Sequence, residues 1–445
     1  MGRPSHSRAL GVWANGVRVG RWLLPASGPM EFTYDASWVA SEQARPLSLS
    51  LPMNLDGLPL KGDKVHSFFD NLLPDSDVIR HRVRTRFHTP SGEAFDLLEA
   101  IGRDCVGALQ LLPDGEVPAD ASTLVVTPLT DSELEELLLG VGSAAGPLRH
   151  EADEFRISIA GAQEKTALTW HGKRWCRPHG ATPTTHLFKL ALGLVGGRRM
   201  DMSTSLENEW LCARLLDAYA VPIASCAVKK FGSAKALVVT RFDRRLHSSG
   251  RYWLRLPQED FCQATGTRSS SKYEADGGPG LPDIARILQG SEARDDDLAT
   301  LLRAQLLFWM LAATDGHAKN FSLRLLAQGR FRLTPLYDVI SAWPVTGSRH
   351  DQIHVKKLRL AMAVRGDSKH YRVAEIERRH FNKTAQQCGF GLDMEPLIED
   401  VVTRTPAVIE SVGASLPKGF PEEVFASVTG GLEKSSKRLR RMAAR

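Results

Sequence analysis

The segment Thr314-Asp315-Gly316-His317-Ala318-Lys319-Asn320 puts a carboxylate and an amide four residues apart, directly after the apolar run 306–313. In phosphoryl transfer such a pair divides the work. The carboxylate accepts the proton of the attacking hydroxyl, and the amide oxygen holds Mg²⁺ against the phosphates, as in the catalytic loop of protein kinases. An Asp-Gly after a helix is also an ordinary turn, so the pattern needs support. Support comes from Leu336-Tyr337-Asp338, which follows an expected hairpin of strands 321–326 and 330–335. In kinases a second acidic residue just past such a hairpin returns beside the catalytic loop. Asp315, Asn320 and Asp338 offer the hard oxygen atoms that Mg²⁺ takes, with phosphate oxygens completing its octahedron.

Upstream, the short apolar strand 185–190 carries Lys189. Burying an unpaired ammonium is costly, so this lysine is either paired or an edge-strand gatekeeper. Glu209 on the following helix is the candidate partner and Glu207 its rival, by the order of strand lysine and helix glutamate in kinases. Earlier still, Ala160, Gly161, Ala162, Gln163, Glu164 and Lys165 form a turn of small residues between two strands, where backbone N–H groups could approach phosphate. With a single glycine it is neither a Walker loop nor the Gly-rich kinase loop. Thr240-Arg241-Phe242 stands where a hinge strand would meet adenine. Loop, lysine strand, helix, hinge, catalytic loop and second aspartate follow the order of a two-lobed kinase. ATP-dependent phosphoryl transfer is therefore the leading reading. A small-molecule kinase and a non-enzymatic co-repressor with an idle nucleotide site are the alternatives.

These groups need a β-rich part followed by a helical one. The 445 residues suggest about three units of ordinary domain size. Asn15-Gly16 between alternating runs predicts a hairpin. Residues 67–86 read as one helix with a basic face, 113–121 as a loop, and 132–141 as a short acidic helix. Strands are expected at 155–159, 166–170, 185–192 and 236–240, with a helix over 206–220. Past residue 283 the pattern is helical apart from the one hairpin. The expected fold is α+β and two-lobed, kinase-like, with modules at 1–150, 151–282 and 283–432. The basic segment 433–445 has little to bury and is expected to be disordered.

Composition narrows the class. An apolar share of 42% with 24% charged residues is that of a soluble globular protein. Lys and Arg exceed Asp and Glu by 57 to 51, a mild excess that suits an acidic partner without demanding one. Six scattered cysteines without a CxxC pair argue against a disulfide scaffold or zinc site, so a reducing cytoplasm is expected. No signal peptide is evident, and the longest apolar run is far short of a membrane span, which needs about 20 residues.

Longer stretches carry a family resemblance: Arg45 to Pro52, Phe68 to Ser76, Ile101 to Asp104, Ser158 to Leu168, Arg241 to Arg245, Leu256 to Asp260, Asp276 to Gly280, Thr314 to Phe321 and Leu333 to Ser341. The sequence resembles the HipA family, the serine/threonine-kinase toxins of HipA/HipB modules. The resemblance implies a cytoplasmic enzyme that uses ATP and Mg²⁺ to phosphorylate glutamyl-tRNA synthetase or another aminoacyl-tRNA synthetase, causing growth arrest and persistence. It also implies a HipB-like antitoxin that, with the toxin, represses the operon through operator DNA. Residue by residue, it puts the ATP loop on Ala160–Lys165, the phosphate lysine on Lys189 and the adenine segment on Thr240, Arg241 and Phe242. The catalytic aspartate falls on Asp315, nucleotide contacts on His317, Ala318, Lys319, Asn320 and Tyr337, and the metal ligands on Asn320 and Asp338. The inactivating autophosphorylation falls on Ser158. The family's basic DNA-touching residues are missing near Gln386 and Gly389.

Overall fold

The computed structural model describes residues 6–54, 56–141, 163–197 and 199–444. The chain forms two compact units, Met1–Leu190 with Lys229–Ser270 and Leu323–Phe331, and Ala191–Val228 with Ser271–Ser322 and Arg332–Arg445.

The first unit opens with an antiparallel five-stranded sheet, in the order Leu60–Lys61, Glu31–Tyr34, Val17–Leu24, Arg8–Ala14 and Leu109–Pro113. Its first hairpin turns at Asn15 (φ 50°) and Gly16 (φ 84°), the paired positive values that a tight two-residue turn requires. Leu10, Val12, Val19 and Trp22 are buried, the alternation shifting at a bulge in this hairpin, and Trp22 stacks on Phe69 with ring centroids 3.9 Å apart. The single helix expected over 67–86 is two, Asp63–Asp70 and Asp77–Phe87. Pro74 intervenes, lacking the N–H a helix interior needs, and the Ser76 side chain caps the second helix. That second helix buries none of its residues, and Val78 lies on the surface rather than in the core.

A six-stranded sheet follows, in the order Cys226–Phe231, Ala234–Thr240, His186–Lys189, Lys165–His171, Arg174–Pro178 and Val126–Pro128. Leu168, Phe188, Ala236 and Val238 pack one face against Leu134 and Leu138 of the helix Asp131–Gly140. A Thr130/Glu133 capping box starts that helix. The strand expected at 155–159 and the boundary near 150 lie outside the described residues.

The second unit is mainly helical, built on Ser205–Ala218, Leu281–Leu288, Arg294–Leu311, Glu395–Ala414 and Glu422–Arg441. It also holds a hairpin the sequence did not reveal, Arg359–Arg365 with Lys369–Arg372. Leu360 to Val364 are all buried, so no period-two signature distinguishes this strand from a buried helix. The segment 433–445 departs from expectation more sharply. Through Arg441 it is the last part of a helix that buries Leu432, Ser435, Ser436 and Leu439. Arg438 lies over the Trp309 ring and donates to the carbonyls of Val373, Ala374 and Ile376. Its charge is thus spent on backbone oxygens rather than left in solvent. Among the described residues no helix is long and apolar enough to cross a membrane. All six cysteines are free.

Candidate active site

The helix Arg294–Leu311 stops abruptly at Ala312, whose φ of 48° is left-handed. For a residue with a Cβ this conformation costs roughly 1–2 kcal/mol. Two bonds hold it: the Ala313 N–H returns to the Phe308 carbonyl at 2.8 Å, and the Ala342 N–H reaches the Ala312 carbonyl at 3.1 Å. The turn delivers Asp315 to the surface with 63% of its side chain exposed, whereas Gly316 to Asn320 are buried. Gly316 is required by space: a Cβ there would lie 2.5 Å from the Phe308 ring. Asn320 closes the loop, its side-chain Nδ2 donating to the Asp315 carbonyl at 2.8 Å and its backbone N–H to the His317 carbonyl at 2.9 Å. The amide nitrogen is therefore committed to the loop, and Oδ1, the end a cation takes, stays outside that bond.

Asp338 is half-buried with φ 62°, a conformation few residues other than glycine adopt and one that aspartate tolerates. Backbone strain of this kind needs surroundings that impose it. The Tyr337 hydroxyl donates to the Lys319 carbonyl at 2.8 Å and pairs with Ser322 Oγ at 2.5 Å. The residue before Asp338 is thus bonded to the residue before Asn320. Behind the loop, the Ser341 hydroxyl donates to the Leu311 carbonyl at 2.6 Å, and Asn208 bonds both backbone groups of Ser341, at 2.8 and 2.9 Å. Sequence reasoning passed over Asn208 and Ser341. Tyr337, expected to touch nucleotide, is a strut of the loop through its hydroxyl.

In the first unit, Lys189 is 5% exposed and sits on an interior strand, with neighbours on both sides. That rules out the edge-strand gatekeeper reading. The register sets it directly opposite Lys165 on one side and Leu237 on the other, whereas Phe188 enters the apolar core on the opposite face. The two lysines thus face each other across adjacent strands. Gln163 donates to the Leu190 carbonyl at 2.5 Å, and the Glu164 carboxylate pairs with Arg82, so both side chains hold the turn. Ser158, Ala160, Gly161 and Ala162 lie outside the described residues. Glu207 and Glu209 are both buried on the helix Ser205–Ala218 of the second unit.

The expected hinge segment is tied into the first unit by both backbone and side chain. Thr240 is exposed, but the Arg241 N–H donates to the Thr185 carbonyl at 2.9 Å, and the Phe242 carbonyl accepts from Arg324 at 2.9 Å. The Arg241 side chain turns into a buried cluster. It bonds Asp243 at 2.7 and 2.9 Å and Thr184 at 2.8 Å. Arg244 and Arg255 reach the same Asp104 oxygen at 3.0 and 2.9 Å. The Arg241 side chain is thus tied to Asp243 and to Asp104, far upstream in the sequence.

Residues 10–112 match the HipA N-terminal domain and residues 157–409 the HipA-like C-terminal domain. The chain is 31% identical to the putative kinase Y4mE of Sinorhizobium fredii over 402 residues, 89% of each protein. It is 29% identical to the serine/threonine-protein kinase toxin HipA of Shewanella oneidensis over 321 residues, 69% of each. Its fold matches HipA from the Shewanella oneidensis complex of HipA, HipB and operator DNA, with a TM-score of 0.77 over 97% of each chain at 24% identity. The chain belongs to the HipA family. It is an α+β protein and, as a member of that family, a serine/threonine-protein kinase.

Proposed function

We propose that this chain is the toxin of a toxin–antitoxin pair and transfers the γ-phosphoryl group of ATP to a serine or threonine of a protein substrate. Asp315 accepts the proton of the attacking hydroxyl. Lys189 and Lys165 meet the phosphates from one face of the six-stranded sheet. Asn320, through Oδ1, and Asp338 would hold Mg²⁺, which when bound supplies charge neutralisation at the phosphates. Two protein oxygens are a fitting donor set, since Mg²⁺ usually keeps waters and substrate phosphates in its remaining positions. His317, Ala318 and Lys319 line the loop at the nucleotide. Thr240 and Phe242 offer backbone edges to adenine, and phosphorylation of Ser158 switches the enzyme off.

The observation that carries this reading is the way Asn320 locks the loop. Its nitrogen binds the Asp315 carbonyl while the Asp315 carboxylate stands exposed. A plain Asp-Gly turn needs no such tie. A HipB-like antitoxin and operator DNA reached through the complex are the partners by analogy with the Shewanella oneidensis assembly, and the family resemblance adds an aminoacyl-tRNA synthetase as substrate, with glutamyl-tRNA synthetase foremost. The setting is the cytoplasm.

Controlled expression of the wild-type chain and of Asp315→Asn, followed by phosphoproteomics, tests the proposal. Wild type should halt growth and mark a small set of serine or threonine sites, a synthetase among them. The variant should do neither, a loss of roughly a thousandfold in transfer. Arrest that survives Asp315→Asn would favour the non-enzymatic co-repressor, and label confined to a metabolite would favour a small-molecule kinase.

A further inference from the structure

A tyrosine outside every motif above touches the carboxylate on which the proposed chemistry turns. The Tyr273 hydroxyl donates to Asp315 Oδ1 at 2.5 Å, and the Tyr273 ring stands edge-on to His317 with centroids 5.1 Å apart. His317 Nε2 lies 3.8 Å from the same Oδ1. Both neighbours therefore gather on one oxygen. Oδ2 makes no hydrogen bond among the described residues, and 63% of the side chain that carries it is exposed.

The tyrosine itself is firmly mounted. Glu274, next in sequence, is 5% exposed. Its carboxylate accepts the Ala363 N–H at 2.7 Å and meets Arg365 at 2.6 Å and Lys369 at 3.0 Å. The glycines of Asp276-Gly-Gly-Pro-Gly280 allow this mounting to close. A Cβ on Gly278 would stand 2.2 Å from the Ser271 carbonyl, and one on Gly280 would stand 2.5 Å from the Glu274 carboxyl. Gly277 adopts φ 91°, open to glycine at little cost. A tight glycine loop clamped to a buried ion pair is an expensive way to hold an ordinary surface tyrosine.

We infer that Tyr273 is a positioning residue for phosphoryl transfer: its hydroxyl tethers Oδ1 of Asp315 so that Oδ2 faces the acceptor hydroxyl. An exposed aspartate samples several rotamers, and only some present an oxygen to an incoming serine. Tethering one oxygen removes that freedom before the acceptor arrives, which is how positioning contributes to rate. The inference rests on Asp315 being the catalytic base and adds to it the residue that aims it.

The test uses the full chain, γ-labelled ATP and dephosphorylated casein as acceptor, with label followed into casein and into the chain itself. Tyr273→Phe keeps the ring against His317 and removes only the hydroxyl, whereas Tyr273→Leu removes both. The expected result is a fall of about tenfold in kcat for each, with KM for ATP unchanged. Equal melting temperatures for wild type and Tyr273→Phe would confirm that the fold survives. Wild-type kcat in Tyr273→Phe would overturn the inference, as would a raised KM for ATP with kcat intact. Asp315→Asn runs beside them. If it is inactive while Tyr273→Phe is normal, the positioning role alone falls. If it matches wild type, or if wild type transfers no label, the assignment of Asp315 falls and takes the positioning role with it.

Discussion

The buried cluster around Asp104 and the loop from Asp315 to Asn320 use similar polar residue types to opposite ends. In the cluster every carboxylate oxygen is engaged. Asp104 Oδ1 meets Arg244 and Arg255, and its Oδ2 takes the Thr184 hydroxyl at 2.6 Å. Asp243 takes Arg241 on both oxygens and the Gly107 N–H at 2.8 Å. Burial alone would push the Asp104 carboxyl up, but Arg244, Arg255 and Arg241 outweigh it and hold that carboxyl well below the usual carboxylate range. No carboxylate oxygen of the cluster is left for a ligand to bind. The loop reverses this pattern, with its backbone groups bonded internally and its carboxylate presented to solvent. Within one chain, the sign of a working site is therefore the acidic group the fold leaves available.

The contrast can be broken at either end. Asp104→Ala should produce the largest effect on stability, a loss of about 3–5 kcal/mol, because it takes the carboxylate partner from buried Arg255 and leaves Arg241 and Arg244 to share Asp243. Urea unfolding would measure it, and turnover per folded molecule should persist. A loss below about 1 kcal/mol would show that the cluster is no structural keystone. Gly316→Ala should do the reverse. Its new Cβ meets the ring of Phe308, which is buried and packed against Phe321, so the loop must shift and carry Asp315 with it. Transfer should fall about a hundredfold, with only about 1–2 kcal/mol of stability lost. A variant that keeps its rate would mean that the placement of Asp315 is not demanding.

The two regions also differ in how much of them could be read beforehand. The spacing of Asp315 and Asn320 and the turn at Asn15-Gly16 are local, and local rules suffice for both. That Lys189 lies on an interior strand is not local, because strand order depends on partners far away in the chain. The ties of the Arg241 side chain are not local either. Beside Asp243, two residues on, its side chain reaches Asp104, 137 residues upstream. Asn208 and Ser341, 133 residues apart, form a bonded pair that neither residue's surroundings announce. In the C-terminal helix the basic composition masked a stripe of Val424, Val428, Leu432 and Leu439, all buried. The tail was expected to be disordered because its charge was counted and its spacing was not.

A third buried carboxyl sharpens the comparison, because it has no arginine partner. Glu259 is completely buried, reached by the Ser48 hydroxyl and by the Leu49 N–H at 2.9 Å. Burial pushes its carboxyl up to about 8 from an ordinary 4.5, with those two bonds opposing and Asp260 adding to the rise. Asp104 is equally buried and shifts the other way, so arginine rather than burial decides the direction. The consequence for stability follows from linkage. A group that holds its proton more tightly when folded stabilises the fold below its unfolded value, here about 4.5, and loses that contribution as pH rises through about 8. Glu259→Gln mimics the protonated form and cannot ionise. The variant should match wild type near pH 5 and exceed it at pH 9 by roughly 4 kcal/mol, read from urea midpoints at the two values. A wild type more stable than the variant at pH 9 would mean that Ser48 and Leu49 serve the ionised form well enough to outweigh burial. Hydrogen bonds alone could then do for a buried carboxylate what three arginines do at Asp104.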